Sequence, residues 1–417
     1  MGKLVKMKSN KTTEMMKRFL LLTTCMIISF PLFSQVAEND KKVEFEGYLS
    51  NMLSYSNIPE GFGPLIGLDP TKDHWISNHY IQNRLNLFVY PAKNLKGSVQ
   101  LRNRFFYGDY SREIPGYANS LDMDNGWVDL STNPVENDNF ILNMAIDRLW
   151  FQYTLDQFEI KAGRQRINWS QTFAFNPNDI FNTYSFFEVD YPERPGTDGV
   201  RLSYYPTFSS IAEAAISIDS ANRITAAGFY RFNKWTYDFQ FLAGLLKEND
   251  YLLGAGWSGN IKGAAFRGEA TYFHPKNSFS DTTGVFVMSV SFDYMFNNSL
   301  YLQLEGLYNQ IPEGSGTNFF QVFARPLNAK RLSFTEYNIL FNGTYPVMPI
   351  INVSLSVMYY PKINAFFTGP SVDFSISDNF GASIYWQTFF GEFPNPITRE
   401  NENKLINFAY ARLKLNF

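Results

Sequence analysis

The chain has 417 residues, 45% hydrophobic and 18% aromatic, with 41 Phe and 25 Tyr, yet its mean hydropathy is -0.23 and its formal charge -3. A balance this close to neutral gives no reason to expect nucleic acid, whose phosphates demand a basic stripe, and none is visible in the sequence. Cys25 is the single cysteine and lies in the export segment described next, which excludes disulfides and thiolate metal sites from the mature chain; no cofactor is expected.

At the N-terminus, Lys17 and Arg18 precede an apolar run from Phe19 to Phe33, followed by Ser34 and Gln35. This order of charge, apolar core and small residue is that of an export signal. Residues 1–35 are read as the signal peptide, those ahead of Met15 or Met16 being a misassigned extension, and residues 36–417 as one domain. No later segment holds about 18 uninterrupted apolar residues, so any membrane crossing must be made by strands.

From Val43 onward the pattern has period two, in segments of about ten residues, the length a tilted strand needs to cross hydrocarbon. Val99, Leu101, Phe105 and Tyr107 oppose Gln100, Arg102 and Arg104. Phe286, Met288, Val290, Phe292 and Tyr294 alternate with Val287, Ser289, Ser291 and Asp293. Leu300, Leu302, Leu304 and Tyr308 oppose Tyr301, Gln303, Glu305 and Asn309, and Ile351, Val353, Leu355, Val357 and Tyr359 alternate with Asn352, Ser354, Ser356 and Met358. About 18 strands are expected, with 16 as the other count. They begin near Val43, Ser77, Leu95, Met144, Gln157, Thr197, Ser210, Asn222, Trp235, Tyr251, Ile261, Val285, Leu300, Leu332, Pro349, Asn364, Phe380 and Leu405.

The connections alternate. Long ones follow the odd strands, among them Ser56 to Ile76, Asp109 to Asn143, Asn168 to Gly196, Ile311 to Arg331 and Gly391 to Lys404. Tight turns follow the even strands, for example at Asp156, at Asn233 and Lys234, and at Asn297 and Asn298. A soluble sandwich would scatter long loops over both ends. The asymmetry predicts an all-β fold: a transmembrane antiparallel β-barrel of a Gram-negative outer membrane, with short periplasmic turns, long extracellular loops and both termini periplasmic. The last strand ends on Phe417, which resembles the closing strand of outer-membrane barrels and so implies recognition by the barrel-assembly machinery.

One stretch carries more than alternation. Asp147 to Tyr153, Gln157 to Trp169 with Gly163, Arg164, Gln165 and Arg166, Phe175 to Asn182, and Asp190 to Val200 together resemble porin-like outer-membrane barrels, the alginate-exporter type and related uncharacterised barrels. The resemblance implies that the loop from Asn168 to Gly196 folds into the lumen and narrows it, and that the barrel is a homotrimer. A dedicated exporter of acidic polysaccharide resembles a tunnel lined by many basic residues. Here Arg102, Arg104, Lys161 and Arg267 are mixed with Glu269, Glu305, Glu336 and Asp373.

Arg164 and Arg166 share parity with Phe158, Ile160 and Ala162, so strict alternation aims them at lipid, at a cost of about 2 to 4 kcal/mol for an Arg at mid-membrane. Either a bulge at Gly163 turns them inward or they sit at the extracellular rim. The candidate pore-lining residues are Arg102, Arg104, Arg164, Arg166, Asp179, Asp190, Glu193, Arg267 and Glu269, the first four arginines facing Asp179, Asp190 and Glu193 across the constriction. No catalytic or metal-binding role is expected. Ser77 and His79 share a strand face without an evident third member, and Asp122, Asp124 and Asp129 lack the glycine and closing glutamate of a calcium loop. The expected function is passage of small hydrophilic solutes. The alternatives are a conduit for one polysaccharide or aromatic compound, and a non-conducting adhesin or anchor.

Overall fold

The computed structural model describes residues 42–189, 191, 193–277, 279–311, 328–395, 397–398 and 400–417; residues 1–35, expected to be a signal peptide, and Asp190 lie outside the described residues. Residues Phe45–Phe417 form one compact unit.

The alternation of side chains builds a long antiparallel sheet. In chain order its strands are β1 (Val43–Ile58), β2 (His74–Ser77), β3 (His79–Ala92), β4 (Leu95–Tyr107), β5 (Ser131–Glu136), β6 (Phe140–Leu155) and β7 (Phe158–Gln165). They continue as β8 (Thr197–Thr207), β9 (Ser210–Ile218), β10 (Ile224–Lys234), β11 (Tyr237–Leu246), β12 (Asp250–Ile261), β13 (Ala264–Pro275) and β14 (Val285–Met295). The remainder are β15 (Tyr301–Asn309), β16 (Tyr337–Met348), β17 (Ile351–Tyr360), β18 (Ala365–Ser377), β19 (Phe380–Pro394) and β20 (Asn401–Asn416). Two are accessory. β2 continues the line of β3 beyond Asn78 and pairs with the top of β1, and β5 pairs with the upper half of β6. The other strands make a closed wall of 18.

Closure comes from β1 and β20, which pair from Tyr48↔Asn416 to Asn57↔Asn407, and the Phe417 and Gly47 backbones exchange hydrogen bonds of 2.9 and 3.0 Å. No sheet edge is left unpaired in the wall, which is what a hydrocarbon environment requires. The outer rows are apolar: Phe151, Phe241, Leu253, Leu304 and Ile384 all stand exposed on the barrel's outside. The inner rows carry Ser98, Gln240, Ser289, Gln303 and Gln387, all buried by what fills the lumen.

Several expected boundaries shift, among them the strand expected near Ile261, which begins at Ala264. The fourth wall strand begins at Phe140, not near Met144, because its first residues pair with β4 and β5 together. The turn after β10 is at Trp235 and Thr236, which take the left-handed φ values of 54° and 65° that a two-residue hairpin needs, in place of Asn233 and Lys234. Leu332 and Phe334 alternate without forming a strand; both bury among the aromatic side chains inside the barrel, and β16 starts at Tyr337. The final strand starts at Asn401, four residues ahead of Leu405.

A β-bulge sits in β6. Gln100 pairs with Arg148 and Leu101 with Ile146, so Asp147 has no opposite number and the inward parity changes there. Asp147 and Arg148, adjacent in sequence, therefore both turn to the lumen.

Candidate functional site: the constriction loop

β7 stops at Gln165, whose side-chain amide donates to the carbonyls of Lys161 and Gly199 and ties off the strand end. Gly163 has a φ of +113°, and a Cβ there would meet the Leu149 carbonyl at 2.2 Å, so only glycine fits. From Gln165 the chain turns inward, and the described residues of this segment, 166–189, 191 and 193–196, lie along the inside of the barrel before β8 resumes the wall.

The first limb is held by polar side chains of the inner rows. The Trp169 indole donates to Glu213 on β9 (2.5 Å) and stacks on Phe229 of β10 at 5.0 Å. The Gln171 amide donates to the Gln240 side-chain carbonyl of β11 at 2.6 Å, and the Gln240 amide donates to the Trp169 carbonyl at 2.7 Å. Glu269 on β13 accepts the backbone N–H groups of Gln171 (2.7 Å) and Asn178 (3.3 Å). Glu305 on β15 accepts those of Phe173, Ala174 and Phe175, at 3.2, 3.2 and 2.8 Å. Three successive N–H groups thus wrap one carboxylate, an anion nest made by the loop itself. Thr271 donates to Asn178, whose amide donates to the Ala255 carbonyl of β12.

The loop then crosses to the other side. Phe187 packs on Phe367 of β18 and Phe389 of β19 at 5.0 and 5.1 Å, and Gln387 donates to its carbonyl. The return limb passes β1, β3, β4 and β6. Arg102 stacks on Tyr191 at 4.2 Å, Arg84 lies 3.8 Å from Glu193, and Tyr48 donates to Glu193. Arg148 donates to the carbonyls of Glu193 and Arg194 at 2.8 and 2.7 Å. The segment thus touches β9 to β13 and β15, then β18 and β19, and then the β1 to β6 side of the inner wall.

Asp147 organises the return side. Arg84, fully buried, donates to it at 2.5 Å, and Arg102 makes two further bonds, at 3.2 and 3.0 Å. An uncompensated buried guanidinium would be costly, so Asp147 is what allows two arginines to stand here. Asp179 is fully buried within the loop; its Oδ1 accepts the Asn182 N–H, and the Asn182 side chain in turn accepts the Ile167 N–H, linking the two limbs of the turn. Burial pushes its carboxyl up to about 7 against the opposing pull of Arg166 and Arg194.

The candidate residues part company in three dimensions. Arg102, Arg166, Asp179 and Glu193 lie in or against the loop. Arg104 donates to Asn143 on the neighbouring strand, and Arg267 pairs with Asp293 at 2.7 Å on the far wall. Glu269 is an anchor of the loop and not a free charge. Arg164 is a correction: β7 keeps its register through Gly163, with Leu149↔Arg164 and Arg164↔Asp198, so Arg164 stays on the outward row and does not line the pore. It is relieved at the rim, where Asp198 and Asp124 accept its bonds at 2.7 and 2.6 Å and the Val128 carbonyl accepts a third. Nor do basic and acidic charges face each other across the gap, since Arg84, Arg102 and Arg148 interleave with Asp147 and Glu193 on one side. Arg84, Asp147, Arg148 and Tyr191 were not among the sequence candidates; the one signal for them was the adjacent charged pair Asp147-Arg148 inside an otherwise alternating strand. Ser77 donates to Asp109 while His79 receives the Ser54 N–H, so Ser77 and His79 do not act on each other.

No protein-family model and no curated protein matches this sequence. Among solved structures the chain is similar to OccAB1 of Acinetobacter baumannii, with a TM-score of 0.54 at 10% identity over 92% of this chain and 99% of that one. It is also similar to OccAB4 of the same organism (TM-score 0.53, 9% identity, 91% and 100% covered) and to OccK5 (OpdH) of Pseudomonas aeruginosa (0.53, 10%, 90% and 98%). These likenesses support the porin-like barrel and do not extend to the alginate-exporter type. The chain has the fold of an outer-membrane porin, a closed antiparallel barrel of 18 strands.

Proposed function

We propose that this protein is an outer-membrane channel for the passage of small hydrophilic solutes, with the loop 168–196 folded into the lumen as its constriction. The observation that carries the reading is the loop itself, bonded to the inner rows around most of the circumference, since a barrel serving only as an anchor has no use for so many polar bonds inside it. On the inner rows from β20 to β8, Lys96, Lys161, Arg201, Arg412 and Lys414 outnumber Glu44, Glu46 and Glu159, while Glu213 of β9 bonds the loop and Asp373 lies on β18. Lys161 and Lys414 lie over the rings of Trp150 and Tyr48 at 3.6 and 3.9 Å. This excess of cations favours anionic solutes over cationic ones, and the interleaving of signs at the loop favours small molecules over one acidic polymer.

Planar bilayers and liposome swelling test it. Discrete current steps, a reversal potential shifted toward anions, and swelling rates that fall with sugar size are expected. Zero conductance from correctly inserted barrels would favour an adhesin or anchor instead. As part of the same reading, residues 1–35 direct export, the barrel-assembly machinery recognises the strand ending in Phe417, and the barrels associate as homotrimers.

A further inference from the structure

Above the end of β7 the wall is completed by a strap from the β4–β6 connection. Gly126 bridges to Asp219, Ser220 donates to the Asn125 carbonyl, and the Trp127 indole donates to Asn222, so the strap is fastened to the β9–β10 turn. Arg164 holds it from beneath through Asp124 and Val128, and Asp198 accepts the Val128 N–H at 2.9 Å.

Under the strap, on the outside of the barrel, lies an apolar cavity of about 370 Å³ bounded by Trp127, Val128, Leu130, Leu149, Val200 and Ile216, with Arg164 and Asp198 in its lining. It runs on through Val200 and Ile216 into a second, of about 510 Å³, floored by Ala214, Ala226, Gly228 and Ala243. The trough follows from register. One cross-strand row reads Leu202, Ala214, Gly228, Ala243, Leu253, with leucines at its ends and the smallest side chains between. The next row toward the periplasm closes it with Tyr230 and Phe241. Backbone geometry does not require the glycine: a Cβ on Gly228 would find nothing nearer than 3.9 Å and its φ is not positive. The trough is therefore kept empty of side chains where it could be filled.

We propose that it holds one acyl chain of an outer-leaflet lipid, which seals the wall beneath the strap. The inference rests on the membrane-barrel reading above. The trough is continuous with the apolar outer rows that meet lipid and is bounded by the strap at one end and by Tyr230 and Phe241 at the other. An acyl chain there replaces a void with dispersion contacts and keeps water from the Arg164–Asp198 pair, strengthening the strap's fastening.

The test inserts the full chain into vesicles of phosphatidylethanolamine with plain or brominated acyl chains. The emission attributable to Trp127 is read as wild type minus Trp127→Phe. That component should be quenched by brominated lipid in the wild type, with at least half of the quenching lost in Gly228→Leu/Ala243→Leu; Leu304→Phe, on the outer face of β15, should leave it unchanged. Ala226→Leu fills the trough from one strand if the double variant does not insert. Heat-modifiable gel mobility reports insertion separately, so failure of the barrel reading is distinguishable from failure of the lipid site. Quenching equal in wild type and inserted trough-filling variants, or a crosslinked oligomer that the same substitutions abolish, would overturn the proposal.

Discussion

Glu305→Gln is the sharpest perturbation of the constriction, because it preserves volume and removes only the charge that three loop N–H groups share. The carboxylate accepts Phe173, Ala174 and Phe175, and also the Ser289 hydroxyl at 3.0 Å and the Gln303 amide at 3.2 Å. A hydrogen bond to a charged group contributes about 1.5 to 3 kcal/mol net, roughly twice a neutral one, and a buried donor left unpaired costs about 1 to 3 kcal/mol. A carboxamide keeps one acceptor oxygen and turns an NH₂ toward donors, so at least one loop N–H is stranded. The docked segment 171–178 should lose about 3 to 6 kcal/mol, enough to populate a loosened loop although Glu269 still holds two of its N–H groups. Single-channel recording should show a larger, noisier open current, and limited proteolysis should cut within 171–178. Ser289→Ala, which removes one hydroxyl bond, should change little. An inserted Glu305→Gln barrel with wild-type current and wild-type protease resistance would refute the assignment of this carboxylate as the loop's anchor.

Four further outcomes follow from the same geometry. Arg164→Ala leaves Asp124 and Asp198 facing each other without their cation, a loss of about 3 to 5 kcal/mol by analogy with broken buried pairs, so proteolysis should open the strap while conductance stays near wild type. Arg102→Ala, which removes a cation stacked on the loop's Tyr191, should lower anion preference in bilayer reversal potentials, whereas the same change at Arg267, which pairs with Asp293 away from the loop, should have a smaller effect. Asp179 binds its proton more tightly when the loop is docked, its pKa rising from 3.8 to about 7, so docking is strongest at low pH and weakens as pH climbs through that window. Conductance should accordingly rise between pH 4 and 7 in the wild type, and Asp179→Asn should flatten that dependence. Removing Phe417 deletes the paired bonds to Gly47 and should impair insertion while leaving periplasmic delivery intact, which fractionation and heat-modifiable mobility together would read.

Much of the wall was legible in the chain itself. Lipid on one face and water on the other impose period two, and Phe286 to Tyr294 or Ile351 to Tyr359 display it over a handful of residues, so the strand number and the alternation of long and short connections could be read locally. The lumen obeys no such rule. Whether a charge there anchors, pairs or lines a passage depends on partners far off in sequence, as when Glu305 receives the N–H groups of residues 130 to 132 positions earlier. Arg164 marks the division. Its outward parity was plain from Phe158 and Ile160, and the structure kept it, but the strap that makes that position tolerable comes from Asp124 to Val128. Asp147 marks it from the other side, since one unpaired residue in β6 reversed the parity of everything beyond it. The barrel is readable along the chain because solvent contrast acts residue by residue; the inner loop's place is not, because its bonds join residues far apart in sequence across the lumen.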